Sequence, residues 1–172
     1  MGKAIFLTGN PGCGKTTLIR RVVDLLPGPA GGFYTQEIRE QGQRKGFEIV
    51  TLDGQRGVMA HVDIRGTKRI SKYGVDISAL DALGVAAIEK ATAGWGIVVI
   101  DEIGPMEILS DRFREAVLKA LESDATVLGT IVKRSTPFTD RIKSMPGVTV
   151  IEVRRDNQEA LLSHILDLLQ EG

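Results

Sequence analysis

The chain has 172 residues, enough to bury a core around a central sheet in one domain and too few for two ordinary domains. Its 22 lysines and arginines balance its 22 aspartates and glutamates, which excludes the global positive field behind sequence-independent nucleic-acid binding, so no nucleic-acid partner is implied. One cysteine, Cys13, excludes an internal disulfide or zinc cluster and fits a reducing, cytoplasmic setting, and no apolar run is long enough for a membrane span or signal core.

In chain order, Ala4-Ile5-Phe6-Leu7-Thr8 predicts a strand leading into a glycine-rich turn. A helix follows over 16–26, with Leu18, Ile19, Val22, Val23 and Leu26 at helical spacing. Segments 32–39, 46–52 and 57–62 read as strands, the first two joined by the polar turn Glu40-Gln41-Gly42-Gln43, which makes an antiparallel insert at roughly 31–63. Ser78 is expected to open a helix, with Asp81 as an acidic capping-box partner, that ends near Ala93-Gly94. Ile97-Val98-Val99-Ile100 has no alternation, as expected of a central strand covered on both faces. Beyond it, Ser110 opens a helix, 126–131 is a strand, and a short helix follows Thr136-Pro137. A strand over 148–153 then leads into a last helix, with Asp156 and Glu159 expected to cap it and Leu161, Leu162, Ile165, Leu166 and Leu169 on its inner stripe. This alternation predicts an α/β fold of three layers, a mostly parallel sheet with helices on both faces.

Gly9-Asn10-Pro11-Gly12-Cys13-Gly14-Lys15-Thr16 fills every fixed position of the Walker A pattern and lies between a predicted strand and helix. The glycines allow successive N–H groups to point at an anion, and the helix N-terminus adds its positive dipole end, so the natural guest is the phosphate chain of a nucleoside triphosphate. Lys15 is expected to reach the β- and γ-phosphates, the Thr16 hydroxyl to ligate Mg²⁺, and Thr17 to assist at the α-phosphate. Cys13 reads as a small loop filler.

The apolar run ends at Asp101-Glu102, which has the form of a Walker B strand delivering a carboxylate beside the phosphates. Asp101 is the expected magnesium residue, acting through water, and Glu102 the base that orients the attacking water. Asp101-Glu102-Ile103-Gly104 also fits DxxG, so Gly104 is a candidate N–H donor to the γ-phosphate. No Asn-Lys-x-Asp motif is present, which predicts loose base selectivity. Thr130 is a candidate for orienting the lytic water, and Lys133, Arg134 and Arg141 for stabilising transferring charge, although a solvated surface role fits each of these cations. His61 and His164 lack metal-ligand spacing, and Trp95 reads as packing at a strand entrance.

These motifs resemble those of the small nucleoside-triphosphatases first described from thermophiles, a family with vertebrate cancer-related members. The likeness rests on the phosphate loop, on Gly32-Phe33-Tyr34-Thr35-Gln36-Glu37-Ile38-Arg39 and on Gly46-Phe47-Glu48-Ile49-Val50-Thr51-Leu52. It continues through Tyr73-Gly74-Val75-Asp76, Asp101-Glu102-Ile103-Gly104-Pro105-Met106-Glu107 and Leu128-Gly129-Thr130-Ile131. The resemblance implies a RecA-like P-loop NTPase fold, with a strand between those carrying the two Walker motifs. It also implies Mg²⁺-dependent hydrolysis of several nucleoside triphosphates to diphosphate and phosphate, with nucleotide contacts from the Walker A stretch and from Asp101 through Glu107. Pro105 and a short connection between positions 62 and 73 set the chain apart from the vertebrate relative. Tyr34, Thr35 and Glu37 gain candidate roles from the resemblance alone; Glu37 could face metal or water, and an ordinary cross-strand polar contact fits it equally well.

The alternative reading is a nucleotide or small-molecule kinase, with Arg39, Arg44, Lys45, Lys68 and Arg69 docking an acceptor. A third is a switch whose nucleotide state governs a partner, for which DxxG is the only support. A monomer is the expected state, with a dimer as the alternative.

Overall fold

The computed structural model describes residues 2–94 and 96–171, so the expectation for Trp95 lies outside the described residues. Strand β1 (Ala4–Thr8) is buried at every position, as its unbroken apolar run requires. The loop after it feeds α1 (Lys15–Leu25), whose Leu18, Ile19 and Val22 are buried along one face.

Strands β2 (Ala30–Glu40), β3 (Gln43–Thr51) and β4 (Arg56–His61) form the expected antiparallel set. The turn between the first two is the expected one: Glu40 pairs with Gln43, leaving Gln41 and Gly42 at φ 52° and 77°. Positive φ at both central positions is the type I′ hairpin, whose twist matches that of the strands. Two short strands that the sequence did not suggest, β5 (Arg69–Ile70) and β6 (Tyr73–Val75), extend the sheet beyond β4.

Asp76, not Ser78, caps the next helix, accepting from the Ala79 N–H at 3.0 Å. A carboxylate three residues ahead of that N–H reaches it, whereas Ser78 already lies in the first turn. Helix α2 (Ile77–Ala79) runs through a π-helical stretch, Leu80–Val85, into α3 (Ala86–Ala93). Asp81 has no capping role, because its carboxylate accepts from the Ser110 hydroxyl.

Strand β7 (Ile97–Ile103) is followed by a 3₁₀ turn, Glu107–Leu109, and by α4 (Asp111–Glu122), which Ser110 caps at the Phe113 N–H as expected. Strand β8 (Thr126–Ile131) leads to α5 (Pro137–Lys143), where Thr136 and Thr139 form a reciprocal capping box. Strand β9 (Val148–Glu152) and α6 (Gln158–Gln170) complete the chain. The caps expected of Asp156 and Glu159 do not form: Asn157 holds the cap position with no side-chain bond to the helix's own N–H groups, while Asp156 faces Arg154 and Glu159 faces Arg21.

All nine strands join one sheet in the order β5-β6-β4-β3-β2-β7-β8-β1-β9. From β2 to β9 the pairings are parallel, and β8 lies between β1 and β7, as the RecA-like reading requires. Strand β2 belongs to both halves, parallel to β7 on one edge and antiparallel to β3 on the other. The insert is therefore a continuation of the core sheet. Gly32, at φ 109°, permits the junction, since a Cβ there would lie 2.0 Å from the Val99 carbonyl oxygen.

Each face of the sheet has its own core. Helices α1 and α6 pack Leu18, Ile19, Val22 and Ile165 against Ile5, Leu7, Val99 and Leu128. On the other face the π-helical stretch, α3 and α4 bury Phe33, Ile49, Val98 and Ile100 with Leu80, Ile88, Phe113 and Val117.

Candidate active site

The site begins at the C-terminal end of β1. Gly14 holds the first helical turn open at φ 93°, and Gly9 passes so close to β9 that a Cβ would lie 2.6 Å from the Val153 carbonyl oxygen. The Lys15 ammonium folds back across the loop and donates to the Gly9 carbonyl at 2.7 Å and to that of Asn10 at 3.3 Å. Cys13 is buried as a filler, its sulfur 2.9 Å from where a Gly9 Cβ would stand.

Across β8 from this loop, β7 delivers Asp101 and Glu102 at the point where its register against β8 shifts, between Ile100 and Ile103, and the peptide between the two acids is cis. Asp101 is 2% exposed. Its Oδ1 accepts from Thr130 at 2.5 Å, and its Oδ2 has no hydrogen-bond partner among the described residues. Burial pushes its pKa up, opposed by the nearby Thr130 and Thr16 hydroxyls and by the charges of Lys15 and Arg20. Glu102 is also pushed up, by burial and then by the Asp101 charge, with Lys15 pulling the other way. Its side chain folds over the following turn, where a Cβ on Gly104 would stand 2.6 Å from Glu102 Oε1.

Lys15, Thr16, Asp101 and Glu102 are thus brought together as expected. Thr130 is not placed to hold water: it is fully buried and its hydroxyl is spent on Asp101, so it orients the carboxylate instead. Glu37 takes the cross-strand polar contact that its position allowed. Its carboxylate is held by Arg39 at 2.8 Å and by Arg44 at 3.3 Å, a cross-strand cluster rather than a metal-facing group. That cluster also occupies two cations of the acceptor-docking alternative, and Arg69 donates to the Ile64 and Lys72 carbonyls. Of the finger candidates, Lys133 faces Glu152 at 3.3 Å, while Arg134 and Arg141 are exposed.

A family model described as NTPase matches residues 4–166. The chain belongs to the NTPase family. It is 48% identical over 166 residues to the nucleoside-triphosphatase THEP1 of Thermotoga petrophila, spanning 96% of this chain and 92% of that protein. It is 37% identical over 188 residues to the human cancer-related nucleoside-triphosphatase, spanning 100% and 99%. Among solved structures, THEP1 from Aquifex aeolicus superposes with a TM-score of 0.89 at 32% identity, covering 98% of this chain and 99% of that one. The solution structure of the human relative gives 0.85 at 35%, covering 99% of each chain.

The structure gives definite surroundings to Glu107, Tyr34 and Thr35, which sequence reasoning named without assigning chemistry, and adds Arg20 and Gln158, which it left without a role. Glu107 is 2% exposed and its Oε2 takes no hydrogen bond among the described residues. Burial and the neighbouring Glu102 charge hold its carboxyl well above the usual range. Glu102, Glu107 and Thr35 share the wall of a cavity of about 110 Å³ beneath the antiparallel extension. Tyr34 stands opposite Asp101 in the sheet, with the Arg20 guanidinium 4.4 Å above its ring. From the far side, the Gln158 amide donates to the Cys13 carbonyl at 2.5 Å and braces the phosphate loop. The signal for Glu107 was present in its place five residues beyond Glu102; those for Gln158 and Arg20 depend on contacts that spacing does not encode.

Among the described residues no helix is long and apolar enough to cross a membrane, and no group of three or more His, Cys, Asp or Glu is placed to hold a metal.

Proposed function

We propose that this chain hydrolyses nucleoside 5′-triphosphates to diphosphate and phosphate with low base selectivity, using Mg²⁺ held by Thr16 and Asp101. The observation that carries the reading is the meeting of two acidic groups on β7 with the lysine and threonine of the β1 loop, across one intervening strand. Family membership supports it: the relatives above carry the name nucleoside-triphosphatase.

The donor set suits a hard divalent cation. Asp101 has an orphaned, buried oxygen, and the Thr16 hydroxyl lies close to the same carboxylate. A divalent ion held there by Asp101 and Thr16 would supply positive charge against the β- and γ-phosphates. Backbone N–H groups of the loop from Gly12 to Thr16 would cradle the phosphate chain, and Lys15 would leave its loop carbonyls for the β- and γ-oxygens. Thr130 fixes Asp101 by its hydrogen bond. Glu102 accepts a proton from the attacking water as that oxygen bonds to the γ-phosphorus; the bond to the β,γ-bridging oxygen breaks and its electron pair leaves with the diphosphate.

The test is a pair of variants followed for binding and for phosphate release. Glu102→Gln should keep nucleotide affinity and lose turnover by roughly 10²- to 10⁴-fold, the usual range for a positioned acid–base group. Lys15→Ala should damage both. Parental turnover in Glu102→Gln would remove the base from this residue, and rates with the common ribo- and deoxyribonucleoside triphosphates, with and without Mg²⁺, test base and metal dependence.

A further inference from the structure

Resting on the reading of the loop as a triphosphate cradle, the geometry fixes the direction in which the rest of the nucleotide leaves the site. The γ-phosphate end belongs beside Asp101 and Glu102, on the β7 side of β1. The opposite side, where β9 is the strand neighbouring β1 in the sheet, is the side left for the nucleoside on that reading.

There the chain makes a braced turn. Val153 donates to the Thr8 carbonyl at 2.8 Å, seating the end of β9 against the start of the phosphate loop. The next four residues close on themselves, the Asn157 N–H bonding the Arg154 carbonyl at 3.3 Å. The Asn157 side chain ties the turn twice more, accepting from the Arg154 N–H at 2.8 Å and donating to the Glu152 carbonyl at 3.1 Å. Gln158, immediately after it, donates to the Cys13 carbonyl at 2.5 Å and so fixes the turn to the cradle. Two cations project from this scaffold. Arg154 faces Asp156 at 3.3 Å, whereas Arg155 is exposed and has no partner among the described residues.

We propose that the turn Arg154-Arg155-Asp156-Asn157 is the nucleoside-side wall of the site and that the Arg155 guanidinium stacks on the nucleobase. A guanidinium plane offers each base the same contact with its π-face and reads no hydrogen-bonding edge. That chemistry matches a chain that lacks an Asn-Lys-x-Asp motif and for which a broad choice of base is proposed. The bracing serves the same end: a turn tied to the loop carries its cation at a fixed offset from the phosphates, so less freedom is lost when the base docks.

The experiment is calorimetric binding, with Mg²⁺ present, of non-hydrolysable ATP, GTP, CTP and UTP analogues and of inorganic tripolyphosphate, which has no base. Arg155→Ala should weaken all four nucleotides by about 3- to 30-fold, the range of one exposed to half-buried cation–π contact, and leave tripolyphosphate unchanged. Arg155→Lys should fall between parent and Ala. Equal weakening of tripolyphosphate would make Arg155 a phosphate contact and overturn the proposal, as would unchanged nucleotide affinity. Parent protein that binds the analogues without turning over triphosphates would refute only the hydrolytic reading. Parent protein that binds neither nucleotide nor tripolyphosphate would overturn the cradle and this wall together. The exposed position of Arg155 lets the variant keep the parental melting temperature, which serves as the control for folding.

Discussion

At the scale of single residues, the site sets two buried carboxylates, Asp101 and Glu107, each with an oxygen that takes no hydrogen bond among the described residues, beside the half-buried Glu102. Asp101, Glu102 and Glu107 all have raised pKa values, each chiefly because burial penalises the charged form. For Glu107 the consequence for stability has a definite sign. Its folded pKa lies above its unfolded one, so the folded chain holds that proton more tightly. The resulting stabilisation is full below the ordinary glutamate range, fades as pH rises towards the folded value, and is gone above it. Glu107→Gln, neutral throughout, should therefore match the parent in acid and melt at a higher temperature than the parent near neutral pH. Melting curves of the ligand-free proteins from about pH 4 to about pH 8 check this; a parent–variant difference that does not change with pH would contradict it. The same residue shows how far the sequence could be read. Glu107 is visible as an acid near Glu102, but its burial and its missing hydrogen bond come from packing under β3 and β4.

At the scale of elements, local rules succeeded where a side chain acts on its own neighbours. Ser110 caps the helix it was expected to open, and Thr136 caps the short helix expected after Thr136-Pro137, because a hydroxyl at that position reaches an N–H three residues on without help from the rest of the fold. They failed where two candidates competed. Asp76 displaced Ser78, and Asp156 and Glu159 were drawn off to arginines. Ser110 does double duty, accepting from Phe113 and donating to Asp81, which ties α4 to the π-helical stretch. Ser110→Ala should cost about 1–2 kcal/mol, the upper half of the range for losing a cap, measured by denaturant unfolding. A loss under about 0.5 kcal/mol would mean that water replaces both bonds. Strands β5 and β6 were missed because two- and three-residue strands have no period to detect; they exist only through pairing with β4 and with each other.

At the scale of the whole molecule, β2 joins the parallel core to the antiparallel extension, and Phe33 sits at that joint. It is fully buried, stacked edge-on against Phe113 with ring centroids 6.2 Å apart, and faces Gly84 of the π-helical stretch. Phe33→Ala should destabilise the fold by about 3–5 kcal/mol through lost burial and an unfilled cavity. The check is the shift in urea midpoint at constant slope, and a loss below about 1 kcal/mol would show that the joint collapses to fill the space. Such a loss is a large part of the stability of a domain this size, so turnover should survive only well below the parental melting temperature. By itself the sequence determined the glycine-rich loop after β1, the buried run that ends in two acids, and the alternation of helix and strand. These are local properties, set by spacing and by what a backbone of glycines can do. Only the tertiary structure decided that Thr130 serves Asp101 rather than water, that Glu37 belongs to arginines, that Glu107 and Thr35 stand with Glu102 around one cavity, and that Arg155 is braced beside the cradle. Each of those depends on which strand lies next to which and in what register. That order is fixed by the packing of the two faces of the sheet, which residue spacing along the chain does not encode.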